Sequence, residues 1–145
     1  MAIAPEQMAI YLADKSALTR RSTRPEVRAV VEPLLLAGRI ATCAIIDLEL
    51  LYSAPTPKIY RALANALSGM ARVAIDEAVM DRALEVQGLL AVKSQHRGVP
   101  LPDLMVAAAA ELNGLVVLHY DADYDRIAKF TGQPTKWVVA QGTVS

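Results

Sequence analysis

Acidic side chains occur at several places in this sequence where they could together bind a divalent cation. The residues concerned are Asp14, Glu49, Asp103, Asp121 and Asp123. Oxygen ligands of this kind favour a hard cation such as Mg²⁺ or Mn²⁺. Such a site suits hydrolysis of a phosphodiester, because a bound ion lowers the pKa of water and stabilises charge on the phosphate. Without a cation, converging carboxylates would repel one another strongly.

The hydrophobic pattern indicates the elements that must position these residues. Short apolar runs predict strands at residues 8–13, 40–45, 72–75, 115–118 and 137–140. Spacing, caps and composition predict helices at residues 25–37, 47–53, 58–68, 77–95, 104–112 and 124–130. Strands alternating with helices predict a three-layer α/β/α domain with a short, mainly parallel five-stranded sheet. All-apolar strands are typical of a sheet that is covered on both faces.

Two of the helices carry more detailed signals. Thr23, followed by Pro25 and Glu26, predicts an N-cap and the first turn of a helix. The helix at 77–95 follows Asp76, which is a suitable N-cap. Its predicted buried stripe consists of Val79, Ala83, Val86, Leu89 and Leu90.

Most of the acidic residues follow a predicted strand directly. Asp14 comes after the first strand, Glu49 after the second, and Asp121 with Asp123 after the fourth. Ligand sites of such sheets lie beyond the carboxyl ends of the strands, so these side chains are expected to meet there. Asp103 is different, because it begins a helix that leads into the fourth strand, and this rule does not place it at that edge.

Most of these acidic residues also have a purely structural explanation. Asp14 could be a turn residue, Asp103 a plain N-cap, and the Asp121–Asp123 segment a polar loop that caps a helix. Glu49 lies among leucines in an apolar helix, and a carboxylate there needs a partner. The joint placement of these residues, rather than any single one, favours a functional site.

The charge balance limits how nucleic acid could be bound. There are 15 basic and 15 acidic side chains, so any such binding needs local basic patches rather than a basic chain. Two clusters flank the acidic residues and could contact phosphates or simply form solvated faces. Their members are Arg20, Arg21, Arg24 and Arg28 after Asp14, and Lys93, His96 and Arg97 before Asp103.

Other features of composition exclude several classes of protein. A single cysteine, Cys43, lies in a predicted strand, which rules out a disulfide framework and argues against a cysteine zinc site. The sequence has no apolar run of about 18 residues and no basic segment typical of a secretory signal, so we expect a cytoplasmic protein that does not enter a membrane. Hydrophobic residues make up 54% of the chain, enough to cover a protein partner as well as a core.

Four motifs in this order resemble the PIN-domain nucleases, and within them the VapC-type toxins of bacterial toxin–antitoxin pairs. The first is Asp14-Lys15-Ser16, and the second is the lone Glu49 in DLELLYSA. The third is Asp103 in PLPDLMVAAAAELNG, and the fourth is the Asp121-x-Asp123 pair in VVLHYDADYDRIA. The resemblance covers the whole chain, residues 1–145, and implies a single PIN domain.

The resemblance implies a metal-dependent endoribonuclease that uses metal-activated water. Asp14, Asp103 and Asp121 would hold Mg²⁺, with Mn²⁺ as a possible substitute, while Glu49 and Asp123 would complete the site. Ser16 would support the site by hydrogen bonding, and Arg20, Arg21, Arg24, Lys93 and Arg97 are candidates for binding RNA. A cognate antitoxin and a homodimer are the expected partners.

One position departs from the family pattern. The family usually has Thr or Ser two residues before the fourth-motif Asp, where this chain has His119. The histidine could alter the hydrogen bonding that supports the site, or it could simply end the strand.

Three other classes of protein are alternatives to a metal-dependent ribonuclease. A flap-type DNA nuclease would need additional helical modules, for which this chain is too short. A receiver-like signalling domain would need a lysine after the fifth strand, where none follows. A catalytically weak PIN fold that acts mainly by binding a partner is the remaining alternative, and the retained acidic set argues against it.

Overall fold

The computed structural model describes residues 8–145, which form five strands and seven α-helices. The strands are β1 (Tyr11–Ala13), β2 (Ile40–Thr42), β3 (Ala71–Arg72), β4 (Val116–His119) and β5 (Thr135–Trp137). The helices are α1 (Lys15–Leu18), α2 (Pro25–Leu36), α3 (Ala44–Tyr52), α4 (Pro57–Ser68), α5 (Glu77–Val92), α6 (Leu101–Leu112) and α7 (Asp123–Thr131). Two 3-10 helices span Thr19–Ser22 and His96–Gly98.

The sheet has the strand order β3-β2-β1-β4-β5, and every pairing is parallel. β1 lies in the middle, with Tyr11 opposite Ile40 of β2 on one side and Val116 of β4 on the other. The chain runs from β1 outward in one direction and later returns to β4 on the opposite side. The gap between the carboxyl ends of β1 and β4 is therefore the topological switch point, where ligands bind in open α/β sheets.

Hydrophobic cores lie on both faces of the sheet, which confirms the predicted three layers. Leu12 and Val117 point into the larger core, together with side chains of α3, α5, α6 and α7. Ala13 and Leu118, the next residues along the same strands, point into the smaller core with Val27 of α2. Successive strand residues alternate between faces, so each strand contributes to both cores.

The predicted strand bounds differ from those in the structure. The strand predicted at 8–13 covers only Tyr11–Ala13, the one at 72–75 covers Ala71–Arg72, and the one at 115–118 covers Val116–His119. The other two were wrong by more than their ends. The strand predicted at 40–45 ends at Thr42, and Cys43 is the fully buried N-cap of α3 rather than a strand residue. A short apolar run does not by itself distinguish a strand from a buried helix. The strand predicted at 137–140 instead covers Thr135–Trp137, because this edge strand has partly exposed polar residues that an apolar pattern does not reveal.

Helix boundaries also differ from the prediction in detail. α2 has Arg24 rather than Thr23 as its N-cap, and α6 begins at Leu101, which places Asp103 in its first turn. Proline is tolerated in a first turn, so Pro102 does not delay the start of α6. In α5, Leu89 is 41% exposed and not part of the buried stripe, whereas the other four predicted residues are buried. No helix within residues 8–145 has the length and apolar character needed to span a membrane.

Candidate metal centre

Asp14 lies at the switch point, directly after the central strand β1. Its side chain is buried and accepts a 3.0 Å hydrogen bond from the backbone N–H of Ser16, so that it caps the short helix α1. The other carboxylate oxygen, Oδ1, accepts a 2.8 Å hydrogen bond from the hydroxyl of Tyr124 in α7. Contacts from two different elements therefore hold this carboxylate in place.

Three further carboxylates meet beside Asp14. Asp103, Asp121 and Asp123 each offer a ligand oxygen, and these oxygens lie within 4.8 Å of one another. Asp121 Oδ1 accepts a 2.9 Å hydrogen bond from the backbone N–H of Asp123, which orients the start of α7. Asp103 reaches the same place from the first turn of α6. The packing of α6 therefore supplies the convergence that strand order could not predict.

The electrostatics of Asp103 indicate a site built for a cation. Its side chain is buried, and Oδ2 has no hydrogen-bond partner among residues 8–145. Burial, with added repulsion from Asp14, Asp121 and Asp123, raises the pKa of the Asp103 carboxyl from 3.8 to about 8. Burial and the neighbouring Asp121 also raise the pKa of Asp123. A divalent ion would relieve the repulsion between these carboxylates and would be coordinated by the unpartnered oxygen of Asp103.

Asp14 is separate from the three-carboxylate cluster but connected to it. The Tyr124 hydroxyl group, which donates to Asp14, also lies 3.5 Å from Asp103 Oδ1, at the limit of a hydrogen bond. Burial and these two carboxylates raise the pKa of Tyr124 well above its usual value, so the phenol remains a proton donor. The sequence did not predict a role for Tyr124, although the aromatic residue after the fourth motif was the available signal.

Glu49 reaches the site from α3 and is paired with a lysine. Its Oε2 lies 3.1 Å from Lys15 Nζ, while its buried Oε1 has no hydrogen-bond partner in the described part of the chain. The hydrogen bond to Glu49 raises the pKa of Lys15, and the charges of Asp14 and Asp103 act in the same direction. Lys15 therefore brings a positive charge to the edge of the acidic site, a role that the sequence did not predict.

Ser16 and His119 hold the loop that carries Asp121. The Ser16 hydroxyl accepts a 2.9 Å hydrogen bond from the backbone N–H of Tyr120. His119 Nδ1 accepts a 3.1 Å hydrogen bond from the backbone N–H of Asp121. His119 is fully buried, and burial lowers the pKa of its imidazole. The histidine is the last residue of β4, and it also supports the backbone of Asp121.

The two predicted basic clusters behave differently. In the first, Arg20 donates to the backbone carbonyl of Ser16 at 2.7 Å, and Arg24 donates to Ser145. Arg21 forms a 3.3 Å ion pair with Glu32. These three arginines are thus engaged in contacts within the chain. In the second, Lys93 and Arg97 are exposed and form no ion pair within the described region.

Comparison with known proteins identifies the class to which this fold and acidic site belong. The sequence model of the PIN domain matches residues 11–130, and the chain therefore belongs to the PIN domain family. It is 50% identical over 134 residues to "Ribonuclease VapC51" of Mycobacterium tuberculosis, a match that covers 92% of this chain and 96% of that protein. The resemblance inferred from the four motifs is confirmed.

Solved structures show the same fold at low sequence identity. A DNA-bound VapBC from Salmonella typhimurium has a TM-score of 0.73 at 20% identity, covering 91% of this chain and 100% of that one. A toxin–antitoxin complex from Klebsiella pneumoniae has a TM-score of 0.67 at 21% identity, covering 89% and 98%. The predicted PIN-like α/β/α fold is thereby confirmed.

Proposed function

We propose that this protein is a metal-dependent endoribonuclease, the toxin of a toxin–antitoxin pair. The observation that carries the proposal is the convergence of Asp103, Asp121 and Asp123, with a buried unpartnered oxygen, at the switch point of the sheet. The relative that is half identical over nearly the whole chain is named a ribonuclease, which supports RNA as the substrate.

The ion is Mg²⁺, for which Mn²⁺ can substitute, because every candidate ligand is a carboxylate oxygen. Asp103, Asp121 and Asp123 would hold it, and Asp14 would contact it directly or through water. When bound, the ion lowers the pKa of a coordinated water molecule and stabilises negative charge on the phosphate.

The side chains of this protein position the reacting groups. Tyr124 and the Ser16 amide fix both oxygens of Asp14, and His119 fixes the backbone of Asp121. Lys15 holds one oxygen of Glu49, which leaves the other free to accept a hydrogen bond from the attacking water. Water adds to the phosphorus and loses a proton to solvent, while the bond to the leaving ribose oxygen breaks and that oxygen takes up a proton from solvent.

A covalent nucleophile is not needed for this chemistry, and the two candidates are poorly placed for it. The Ser16 hydroxyl is occupied as the acceptor of the Tyr120 N–H. Cys43 is buried at the start of α3, and burial raises the pKa of its thiol, which disfavours the reactive thiolate.

The proposed partners are RNA, a cognate antitoxin and a second copy of the chain, acting in the cytoplasm. An apolar groove between α5 and α6, lined in part by Met80, Leu84, Leu101 and Met105, supports a protein partner. Leu84 and Leu101 are 65% and 58% exposed, so an antitoxin segment would remove substantial apolar surface from water. We also propose that residues 1–145 act as one PIN domain.

Cleavage of total bacterial RNA by purified, antitoxin-free protein tests this function. Reactions would contain Mg²⁺, Mn²⁺ or EDTA, and Asp103→Asn would be compared with Asp81→Asn, a control at an exposed position of α5. We expect discrete fragments that require the metal and are reduced at least about 100-fold in Asp103→Asn but not in the control. Cleavage that survives EDTA would refute the metal mechanism, and no cleavage at all would favour a protein that only binds a partner.

A further inference from the structure

A second cleft opens beside the acidic centre, between the α5–α6 connection and α7. It has a volume of about 730 Å³, within the ~300–1,000 Å³ range of ligand-sized sites. Its polar lining includes Lys93, Gln95, Asp125, Arg126 and Lys129. Ala122, which lies between two carboxylates of the candidate metal centre, forms part of the same wall. The cleft therefore borders the segment that carries Asp121 and Asp123.

The charge of this basic cleft is opposite to that of the neighbouring centre. Three of its side chains are cations, Lys93, Arg126 and Lys129, and none of them forms an ion pair within residues 8–145. The one carboxylate, Asp125, accepts hydrogen bonds of 3.1 and 3.3 Å from Trp137 Nε1. Unpaired cations that share a concave surface favour an anionic ligand.

Arg126 connects the cleft with the acidic centre. Its positive charge acts on Asp123, where it partly opposes the burial and the neighbouring Asp121 that raise the pKa of that carboxyl. The guanidinium also lies over Gly98, where an added Cβ would come within 2.4 Å of Nη1. The missing side chain at Gly98 thus leaves room for Arg126 on the wall of the cleft.

We propose that the basic cleft binds the phosphate backbone of the RNA strand next to the cleavage site. The proposal rests on the ribonuclease function proposed above and assigns the path of the substrate on one side of the acidic centre. Lys93, Arg126 and Lys129 contact successive phosphates, and they attract a strand that the carboxylates alone would repel. An RNA strand carries a phosphate at every nucleotide, so one strand can place one phosphate at the acidic centre and others in the basic cleft. A small isolated anion would not explain why the cations lie next to the carboxylates.

Binding of single-stranded RNA in EDTA tests the proposal without cleavage. The probe is a fluorescein-labelled RNA of mixed sequence, roughly 12 nucleotides long, within the usual range of such sites. The test variant is Lys93→Gln/Lys129→Gln. The control is Lys58→Gln/Lys136→Gln, which removes two exposed lysines that do not line the cleft; Lys58 is on α4 and Lys136 lies over the Tyr11 ring. Dissociation constants would be measured over a series of salt concentrations, with circular dichroism to verify folding.

The expected result is a change in both affinity and salt dependence. Each phosphate contact on a single strand contributes about 0.7 to the slope of log K against log salt, so the cleft variant should lose about 1.4. At 0.1 M salt this corresponds to binding up to about 25-fold weaker, while the control should remain near wild type. Equal losses in the two variants would overturn the proposal.

Two outcomes separate this proposal from the proposed function. If the wild type cleaves RNA but the cleft variant binds it with unchanged slope and affinity, the strand takes another path and the cleft serves an acidic protein segment instead. If the wild type neither binds nor cleaves RNA, the ribonuclease function itself is refuted, and the cleft proposal with it.

Discussion

The Tyr124 hydroxyl donates a 2.8 Å hydrogen bond to Asp14 Oδ1, across a separation of 110 residues in the sequence. Both side chains are buried, with exposed fractions of 0% and 2%. The bond links the start of α7 to the residue that follows the central strand β1.

Replacing this tyrosine should destabilise the protein. Tyr124→Phe leaves a buried carboxylate oxygen without its donor, and we expect the free energy of unfolding to fall by about 1–3 kcal/mol. Urea unfolding in EDTA measures the change. Tyr60→Phe is the matched control, because Tyr60 is 47% exposed and its hydroxyl is available to water. Equal stability of the two variants would show that the Tyr124 bond contributes nothing.

The raised pKa of Asp103 predicts an unusual pH dependence for the metal-free protein. The folded carboxyl has a pKa of about 8, against 3.8 for the ordinary group. Between these values the unfolded chain releases a proton that the folded protein retains. The free energy of unfolding in EDTA should therefore decrease as pH rises from about 4 to about 8. Below about pH 4 the carboxyl is protonated in both states, and the protein keeps all of the stability that it loses at higher pH.

Urea midpoints measured across this pH range check the prediction. Asp103→Asn should flatten the slope, and Asp81→Asn should preserve it. Added Mg²⁺ should stabilise the wild type more at pH 8 than at pH 6, because the ion competes with the proton for the same oxygens. A flat wild-type profile in EDTA would contradict the environment assigned to Asp103.

Lys15 should weaken metal binding even though it belongs to the site. Its ammonium pairs with Glu49 and interacts with the charges of Asp14 and Asp103. Removing the charge in Lys15→Gln should strengthen Mn²⁺ binding by roughly 0.5–1 kcal/mol, or two- to fivefold, since the lysine is half exposed and screened. Titration calorimetry with Mn²⁺ measures this, with Lys58→Gln as the control. Weaker binding in Lys15→Gln would instead mean that the lysine is needed to orient Glu49.

His119 should act on metal binding through the backbone of Asp121. His119→Phe preserves an aromatic ring against Tyr124 and Trp137 but removes the Nδ1 acceptor for the Asp121 N–H. We expect about 10-fold weaker Mn²⁺ binding, the usual effect of removing a residue that hydrogen-bonds to a metal ligand. His119→Asn retains an acceptor near the Nδ1 position and should recover affinity, although its smaller side chain lowers stability. Equal Mn²⁺ affinity in the two variants would limit His119 to a packing role.

Much of the site could be predicted because strands and helices leave local signals. The apolar run before Asp14 and the one before Asp121 each indicate a strand that ends at a carboxylate. Parallel strands place such ends at one edge of the sheet. The buried stripe of α5 and the parallel order of the strands follow from similar patterns. The one error in the stripe is Leu89, which lies next to the correctly predicted Leu90. Adjacent residues of a helix point about 100° apart, so Leu90 faces the core while Leu89 lies outside the buried stripe.

Tertiary packing alone decided the rest. Asp103 reaches the acidic cluster because α6 packs against β1, β4 and α5. No local pattern in the sequence indicates that packing direction. The roles of Tyr124, Lys15 and His119 depend on contacts with residues that packing brings near, and hydrogen bonds of this kind have no periodicity in the sequence. The basic cleft likewise joins Lys93, the C-cap of α5, with Lys129 of α7. Periodicity determines which face of an element is buried, whereas the identity of the side chains that meet there depends on how the elements pack.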